Sequence, residues 1–564
     1  MRYLQNKIGS FEGLFLEANM DKIKKGIYLM EKASSYLGFK EGIIKVNEGM
    51  ELISNDITRL TIKHYLNLGD LNAIKQLKKA QAKSLFMISS LSKYEKLIRK
   101  CSYHQDLKKD FGNSFVNEIL SKNKNEDKGL LLYLREMKYV KKYQRLISNS
   151  KVLFNGNLKD KKEVKSYLSS SDLDERREAF NSLTKYHAQN ALVYDKLLDK
   201  LVRLRDKQSH IHGYKNYMEE SYSLFERCYK KDDVLLFRRQ ILKTVVPFVY
   251  SMKKRIGKQL GLSNEYYNNE ILLKSNPHIQ FSLSRLLKHF GEVLSKLDIE
   301  FFNLFQRMQE EGLLKLGNES NKLEAGYTTY LSDVKLPYIH ASITGDISGI
   351  RILSHEFGHA LAFYFSSKNN IFQNIPSSFD IAEIHSMTFE EIIALKMDFL
   401  DGNDYKKFQF IHLMNALVLL CFSTMIDAYQ HILYEHPTYD YEKRRTEYRR
   451  LEKMYMPWVR YNNEMEAGLM LHDISHIYEH PFYGIDYSLS QICAFELRNN
   501  LKTDFELGMK KYKCLLPIGK RYSFYEMLKL VNLKNPLEKG NIKEILAPIF
   551  EEIEKLYEEI SVCE

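Results

Sequence analysis

The stretch RILSHEFGHALAFYF, residues 351–365, decides how the second half of the chain folds. Its apolar residues recur every three or four positions, at Leu353, Phe357, Leu361 and Phe365. This spacing is typical of a helix with one face packed into a hydrophobic core. It predicts a buried helix at the centre of a mainly α-helical protein, and the rest of the sequence can be interpreted outward from it.

The same helix carries two histidines one turn apart, with a glutamate between them. His355 and His359 are separated by four positions, so both imidazoles can reach one metal ion. Glu356 lies beside that position rather than on it, where it can accept a proton from water. Gly358 costs about 1 kcal/mol relative to alanine inside a helix. It therefore predicts that another segment approaches the backbone closely there.

A second predicted helix supplies candidates for a third metal ligand. Glu383 follows His359 by 24 positions, which is enough for a loop and a return of the chain. Two histidines and one carboxylate form a ligand set for catalytic zinc, although Fe(II), Mn(II) and Co(II) also accept it. His385 is a rival ligand, but two positions from Glu383 it points to another face of the helix. Glu390 shares the face of Glu383 and can orient a ligand histidine through a hydrogen bond.

The residues ahead of the His355 helix have a different character. Residues 326–331 and 336–343 are rich in β-forming side chains and are broken by Asp333, Gly345 and Gly349. They predict a small sheet of two or three strands immediately before the helix. After this region the spacing of apolar residues is helical again.

The first half of the chain is predicted to be mostly helical. The chain has 564 residues and 10 prolines, and the first proline is Pro247. Residues 170–172, Ser-Ser-Asp, are typical of a helix N-cap. We expect an N-terminal helical lobe at residues 1–240 and a catalytic lobe at 241–564, with the two lobes interleaved. Apolar faces with helical spacing include Leu130, Leu134 and Met137, and Leu197, Leu201 and Leu204.

The charge pattern argues against a nucleic-acid or membrane partner. The 84 Lys and Arg exceed the 72 Asp and Glu, giving a net charge of +12, but both signs are mixed along the chain. The densest basic cluster, residues 443–445 and 449–450, is interrupted by Glu447 and Glu452 and predicts a solvated helix face. A helical nucleic-acid binder would concentrate its basic residues on one face among aromatic ones.

The location of the protein is predicted to be cytoplasmic. No secretory signal precedes the helical pattern. The apolar residues 413–426 are too few to cross a membrane and predict a buried core helix. The isolated cysteines are typical of reduced thiols in the cytosol. They are Cys101, Cys228, Cys421, Cys493, Cys514 and Cys563.

Six blocks of sequence resemble the oligoendopeptidase F and Pz-peptidase branch of the thimet-oligopeptidase-like zinc metallopeptidases. The blocks occur in the same order as in that family, and together they span about residues 320 to 500. The blocks are residues 326–331 (GYTTYL), 354–360 (SHEFGHA), 382–387 (AEIHSM), 455–458 (YMPW), 476–487 (HIYEHPFYGIDY) and 491–494 (QICA).

The resemblance implies a fold and a cofactor. It implies a mainly α, two-lobed helical metallopeptidase with a small β-sheet beside the HExxH helix and a deep substrate channel. One Zn²⁺ per chain would be held by His355, His359 and Glu383. An edge strand near the zinc helix can pair with the backbone of a bound peptide in such enzymes.

The resemblance also implies catalytic residues and an activity. Glu356 is carried over as the general base, and His476, Tyr483 and Tyr487 as residues that face the substrate and the developing oxyanion. Many relatives carry an aromatic residue at the position of Gly484, which predicts a more open wall here. The implied activity is zinc-dependent hydrolysis of internal bonds of short oligopeptides, in a channel that excludes folded proteins. The substrates would be oligopeptides, and the sequence does not indicate an oligomeric state.

Two alternative functions, a peptide-binding module and a nucleic-acid-binding protein, would require a different sequence pattern from a peptidase. A metal-bound peptide-binding module without activity would lack a ligand or the base, and the sequence contains candidates for both. A basic nucleic-acid-binding protein would show the concentrated positive face described above. Hydrolysis of peptides is therefore the predicted function.

Overall fold

The computed structural model describes residues 14–563 except 68–69, 85–86, 122–129, 264, 278–279, 318–325, 369, 398 and 462–466. The described residues are mainly α-helical, with two small β-sheets, and they confirm the predicted fold class. The contacts between residues group them into two compact units, each assembled from three stretches of chain. Unit 1 comprises Met1–Lys122, His278–Asp401 and Cys493–Lys534, and unit 2 comprises Asn123–Pro277, Gly402–Ile492 and Asn535–Glu564.

The elements are numbered in chain order. The first half contains α1 (Leu14–Lys32), α2 (Tyr36–Leu66), α3 (Leu71–Ser84), α4 (Met87–Lys100), α5 (His104–Phe111), α6 (Asn113–Ser121), α7 (Leu130–Ser148), β1 (Lys151–Phe154), β2 (Asn157–Asp160), α8 (Lys161–Ser166), α9 (Leu173–His212), α10 (Tyr217–Leu224) and α11 (Lys231–Gln259). The second half contains α12 (Leu283–Leu297), α13 (Ile299–Glu310), β3 (Leu314–Leu316), β4 (Tyr327–Leu331), β5 (Leu336–Ala341), α14 (Ile347–Ser367), α15 (Phe379–Ala394), α16 (Gly402–Glu435), α17 (Tyr441–Tyr455), α18 (Ser475–Tyr478), α19 (Gly484–Thr503), α20 (Phe505–Leu515), α21 (Phe524–Leu530) and α22 (Asn541–Cys563). Short 3₁₀ helices lie at Tyr167–Ser169, Tyr266–Asn268, Phe372–Asn374, Leu469–Asp473 and Gly519–Arg521.

Unit 1 begins with helices that pack around their own apolar core. The longest of them, α1 and α2, approach closely because Gly26 and Gly42 face each other: a Cβ on Gly26 would lie 2.7 Å from the Gly42 carbonyl oxygen. Asn47 of α2 donates a hydrogen bond of 3.1 Å to Gln373 in the 3₁₀ helix Phe372–Asn374. Helix α2 also packs against β4, so it reaches the sheet that lies beside α14. The buried core includes Ile23, Val46, Tyr94, Ile98 and Phe115.

The three-stranded sheet of unit 1 confirms the prediction of a small sheet ahead of the His355 helix. Its strand order is β3-β5-β4, with β5 parallel to β3 and antiparallel to β4. Every residue of β5 is buried, and both β4 and β5 pack against α14. Helix α14 begins at an N-cap, Asp346, whose carboxylate accepts a hydrogen bond of 3.1 Å from the Gly349 amide. The sheet and this cap position the first turns of α14.

Unit 2 contains a β-hairpin in the half of the chain that was predicted to be helical. Strands β1 and β2 pair antiparallel and are joined by Asn155 and Gly156, with φ values of 50° and 78°. Both residues are therefore left-handed, as a type I′ turn requires. The predicted cap is confirmed, because the Asp172 carboxylate accepts hydrogen bonds from the Asp174 and Glu175 amides at the start of α9. Leu134 lies on a helix as predicted, but it is 41% exposed.

The long apolar helix of unit 2 is α16. By length and composition alone it could cross a membrane, but 72% of its apolar window is buried inside the protein. It packs against α11, α17 and α22 of the same unit. Burial by neighbouring helices is typical of a core helix, as predicted for residues 413–426.

Helix α17 corrects the prediction of a fully solvated basic face. Arg444 is 3% exposed and forms an ion pair of 3.1 Å with Asp199 of α9. Arg445 pairs with Asp195 of the same helix. Burying a guanidinium requires such a partner, and the spacing within α17 does not reveal it. The rest of the cluster does pair within α17, as in the bond between Arg450 and Glu447.

The two lobes with an approximate boundary at residue 240 stay a prediction. Residue 240 lies inside α11, which is continuous from Lys231 to Gln259. A continuous helix keeps the residues on both sides of that position in one unit, here unit 2. The metal-ligand candidates His355, His359 and Glu383 lie in unit 1.

Candidate metal centre and active site

Two adjacent helices of unit 1 bring the three predicted metal ligands together. His355 and His359 lie one turn apart on α14, and Glu383 lies on α15, which packs against it. Their ligand atoms all lie within 4.8 Å of one another. The Nε2 atoms of the two histidines are 3.2 Å apart, and Glu383 Oε2 lies 3.4 Å from His355 Nε2 and 3.8 Å from His359 Nε2.

These distances fit a tetrahedral zinc ion. Ligand bonds of about 2.0–2.2 Å in a tetrahedral site put neighbouring ligand atoms about 3.3–3.6 Å apart. The three separations between the ligand atoms, 3.2, 3.4 and 3.8 Å, bracket that value. Two imidazoles and one carboxylate leave one position of the tetrahedron for water or substrate. The donor set and its geometry therefore suit a catalytic metal ion.

A hydrogen bond determines which ring nitrogen of His355 is the donor. His355 Nδ1 lies 2.7 Å from Glu390 Oε1, so the ring donates to this carboxylate and presents Nε2 toward Glu383. Burial by itself lowers the pKa of His355, but the Glu390 hydrogen bond and the nearby Glu383 outweigh it and raise the pKa to about 9. The pKa of His359 falls well below its ordinary value because the ring is buried beside His355.

We expect zinc binding to release a proton at neutral pH. Metal-free His355, with a pKa of about 9, is protonated at pH 7, whereas His359 is already neutral. Zinc needs the lone pair on His355 Nε2, so about one proton leaves per ion bound, and the apparent affinity rises with pH up to about 9. Calorimetric zinc titrations of chelator-treated protein, in buffers of different ionisation enthalpy, measure the number of protons released.

The control for this prediction is Glu390→Gln, which removes the carboxylate that holds the proton on His355. It should lower the number of protons released at pH 7 because the pKa of His355 falls. A wild-type titration with no proton release would contradict the prediction.

Glu356, the predicted general base, contacts residues of β4 and the residue that precedes this strand. Its side chain is buried, at 6% exposure, and burial raises its pKa. Thr328 donates its hydroxyl to Glu356 Oε2 at 2.6 Å. A Cβ on Gly326 would lie 2.8 Å from Glu356 Oε1, so a side chain at this position would displace that carboxylate oxygen. Both residues belong to a block that the sequence singled out, but the sequence assigned neither of them to Glu356.

The rival ligand His385 is directed away from the three metal-ligand candidates. Its Nε2 lies 3.1 Å from the Leu515 carbonyl oxygen, and its own carbonyl accepts a hydrogen bond from Tyr512. Burial lowers the pKa of His385 to about 4, so the ring is neutral at pH 7 and donates to Leu515. His385 therefore joins α15 to α20 within unit 1.

Helices α14 and α15 approach each other closely at Gly358. A Cβ at this position would lie 2.6 Å from Ser386 Cα and 2.9 Å from the His385 carbonyl oxygen. The sequence predicted a close approach at this glycine, and the structure confirms it. Because the neighbouring atoms are backbone atoms, the two helices would have to separate to admit a side chain.

We expect Gly358→Ala to destabilise the protein and weaken zinc binding. Overpacking costs about 1–3 kcal/mol, against a gain of about 1 kcal/mol in helix propensity, so the net loss is up to about 2 kcal/mol. Thermal denaturation and zinc affinity measure the two effects. Gly402→Ala is the matched control, since a Cβ there meets no atom within 4 Å. Equal stability of the two variants would contradict the prediction.

The other three predicted site residues form a ring cluster in unit 2. The rings of His476 and Tyr483 are stacked with centroids 5.5 Å apart. Tyr487 meets both edge-on, at 5.7 Å from His476 and 5.1 Å from Tyr483. Burial and the neighbouring His480 lower the pKa of His476 to about 4. The imidazole is therefore neutral at pH 7 and can donate one hydrogen bond.

A buried network holds the backbone next to this cluster. Phe482 has a φ of 70°, which is a strained value for a bulky residue. Its amide donates to Gln430 Oε1 at 2.6 Å, and its carbonyl accepts a hydrogen bond from Arg227. Arg227 also binds both oxygens of Asp486, at 2.9 and 3.1 Å, and both side chains are 1% exposed. Phe482 and Asp486 lie in one of the six matched blocks, but nothing in the sequence indicated that Arg227 and Gln430 are their partners.

Comparison with known proteins places the chain in a family. Peptidase family M3 matches residues 166–546. The oligoendopeptidase F homologue of Borreliella burgdorferi is 22% identical over 470 residues, which are 75% of this chain and 77% of that protein. Pz peptidase A, solved with an inhibitor, is 25% identical with a TM-score of 0.89 over 97% of this chain and 99% of that chain.

A more distant structure shares the fold. Oligoendopeptidase F of Enterococcus faecium is 14% identical, with a TM-score of 0.66 over 97% of this chain and 99% of that chain. The family match covers more than half of the chain and includes α14, α15 and the unit 2 ring cluster. The resemblance inferred from the six sequence blocks is therefore confirmed, and the chain belongs to peptidase family M3 and is a metallopeptidase.

Proposed function

We propose that this protein is a zinc-dependent endopeptidase that hydrolyses internal bonds of short oligopeptides in the cytoplasm, with one zinc ion per chain. The observation that carries the proposal is the triangle of His355, His359 and Glu383 ligand atoms beside the buried carboxylate of Glu356. This set combines three metal ligands with a separate base, which a metal-dependent hydrolase requires. Similarity to oligoendopeptidase F and Pz peptidase A supports peptides as the substrate class.

The chain's own residues supply the proton transfers. When bound, zinc lowers the pKa of a coordinated water toward about 7 and polarises the scissile carbonyl. Glu356 accepts the proton of the attacking water and later delivers it to the leaving nitrogen. The Thr328 hydroxyl donates a hydrogen bond to Oε2 of Glu356. We therefore assign Oε1, the oxygen beside Gly326, as the atom that accepts the proton from water. Burial raises the pKa of Glu356 and thereby makes it a stronger base.

We assign the ring cluster of unit 2 to the substrate. His476, Tyr483 and Tyr487 each carry a hydrogen-bond donor, and the neutral state of His476 keeps the cluster uncharged. In the proposal these donors bind the carbonyl oxygen as negative charge develops on it. Removing one donor of this kind typically costs about 3–4 kcal/mol of transition-state stabilisation.

The size limit on substrates is the part of the proposal that needs its own test. The purified enzyme is incubated separately with three substrates. They are an internally quenched peptide of about ten residues, a folded substrate protein, and that substrate protein after denaturation and alkylation. We expect cleavage of the peptide, no cleavage of the folded protein, and slow cleavage of the unfolded chain at most. Zinc content is measured on the same preparation, and reconstitution with Mn(II), Co(II) or Fe(II) compares the other metals that accept this ligand set.

The outcomes separate the alternative functions. Rapid cutting of the folded protein would exclude the channel. Bound metal with no cleavage across a peptide library would favour a peptide-binding module. A salt-dependent shift of nucleic acid in a gel, without peptide cleavage, would favour nucleic-acid binding.

A further inference from the structure

A cavity of about 390 Å³ in unit 1 lies between α2 and β4. Helix α2 precedes residue 166, so its residues lie outside the stretch that matches the family. The cavity is at the small end of the range of ligand pockets, about 300–1,000 Å³. Its lining includes Thr58, Thr61 and Tyr65 on α2 and Tyr327 and Thr329 on β4.

The cavity is joined to the candidate base through β4. Thr328 lines it as well, and its hydroxyl donates to Glu356 Oε2 at 2.6 Å. Successive side chains of a strand point to opposite faces of the sheet. On one face, Thr328 bonds to Glu356 and Tyr330 stacks on Phe363 of α14. On the opposite face, the Tyr327 ring meets Tyr65 of α2.

Strand β4 lies at an edge of the sheet formed by the described strands. Among the described strands it pairs only with β5, so its other edge is not used by the sheet. A peptide that adds to this edge becomes a strand, and its side chains then alternate between the two faces. Side chains on the Thr328 face approach Glu356, and those one position before or after are directed toward the α2 cavity. The cavity would therefore contact alternate side chains of a bound peptide.

The lining indicates which side chain fits. Tyr65 and Tyr327 meet edge-to-face, with ring centroids 5.5 Å apart and an interplanar angle of 78°. Tyr327 in turn stacks on His340, at 5.6 Å and 29°. Aromatic walls of this kind favour a further ring. None of the described residues that line the cavity carries a charge, so a buried lysine or glutamate side chain would lack a partner.

We propose that α2 completes a specificity subsite, in which the cavity between α2 and β4 binds an aromatic side chain of the substrate. The subsite rests on the proposed function, because it selects among peptides that the metal centre hydrolyses. Its ring contacts come from Tyr65 and Tyr327, and Thr58, Thr61 and Thr329 set its depth.

The test uses quenched peptides of one length in which a single position is Phe, Leu, Ala or Lys, scanned along the peptide. For wild type, we expect Phe over Ala to raise kcat/KM by roughly 10- to 100-fold at a position that reaches the cavity. Thr61→Phe fills the cavity and Tyr65→Ala removes one wall, so each should lower this ratio at least fivefold. Because each ratio compares two peptides on one preparation, partial misfolding cancels.

Leu37→Phe is the control, since it adds a ring to α2 at a residue that is 74% exposed. It should leave the Phe-to-Ala ratio as in wild type. The proposal is overturned if both cavity variants keep the wild-type ratio, or if wild type prefers Lys at every position. If wild type cuts no peptide, the proposed function fails and the subsite fails with it. If wild type cuts peptides but Thr61→Phe and Tyr65→Ala keep the wild-type Phe-to-Ala ratio, the subsite proposal fails and the proposed function stands.

Discussion

Glu356→Gln is expected to lower kcat/KM by about 10²- to 10⁴-fold and to leave the zinc content unchanged. General acid–base catalysis typically contributes a factor of this size. The amide keeps the shape of the side chain and can still accept the Thr328 hydrogen bond, but it cannot take a proton from water. The substitution therefore removes the base and preserves the metal ligands.

The measurement combines cleavage of a quenched peptide with metal analysis of the same preparation. Glu292→Gln is the matched control, because that glutamate lies on the surface of α12 with its side chain 51% exposed. A Glu356→Gln variant with full zinc and full activity would show that another group is the base. Loss of zinc from this variant would indicate that Glu356 is a metal ligand rather than only the base.

Glu383→Gln is expected to remove most of the zinc and nearly all of the activity. The Glu383 carboxylate supplies the third ligand atom and the only negative charge in the triangle of ligands. An amide is a weaker ligand for zinc and leaves the charge of the ion uncompensated in a buried site. We expect substoichiometric zinc after desalting and a loss of activity of at least about 10³-fold without added metal.

Glu390→Gln provides a graded comparison for Glu383→Gln. Because Glu390 acts through its hydrogen bond to His355, its replacement should cost about 10- to 100-fold in zinc affinity at a pH above about 9, where His355 is deprotonated in both proteins. Zinc titrations monitored by activity should therefore rank wild type above Glu390→Gln and Glu390→Gln above Glu383→Gln. If Glu383→Gln binds zinc as tightly as wild type, another residue completes the ligand set.

The parts of the fold that the sequence predicted depend on local spacing. The pairing of His355 with His359 follows from one helical turn, and the close approach at Gly358 follows from a glycine inside a strong helix. The sheet beside α14 was visible as two β-rich segments, and only the short β3 was not. The hairpin at Asn155 and Gly156 was missed although the Asn-Gly pair is a strong turn signal. Its strands are only four residues long, which is too short for an alternation pattern to stand out.

The contacts that the sequence could not reveal join residues far apart in the chain. Thr328 reaches Glu356 across 28 positions, and Arg227 reaches Asp486 across 259. The partners of Arg444 and Arg445 lie on α9, so a face that looked solvated is partly buried. Such pairings depend on how helices pack, and no local periodicity encodes them.

The interleaving of the two units also has a consequence for how the protein is made. Unit 1 needs residues 493–534, which leave the ribosome about 370 residues after its first stretch ends at residue 122. At roughly 5–20 residues per second, that delay is about 20–75 s. Helices α1 to α6 have only their own apolar core until residues 278–401 emerge, and α6 lacks its contacts with the 3₁₀ helix Gly519–Arg521 until the end of the delay. Neither unit is complete when its first segment emerges, so we expect folding of this metallopeptidase to finish late in synthesis, with apolar surface of the nascent N-terminal helices exposed until then.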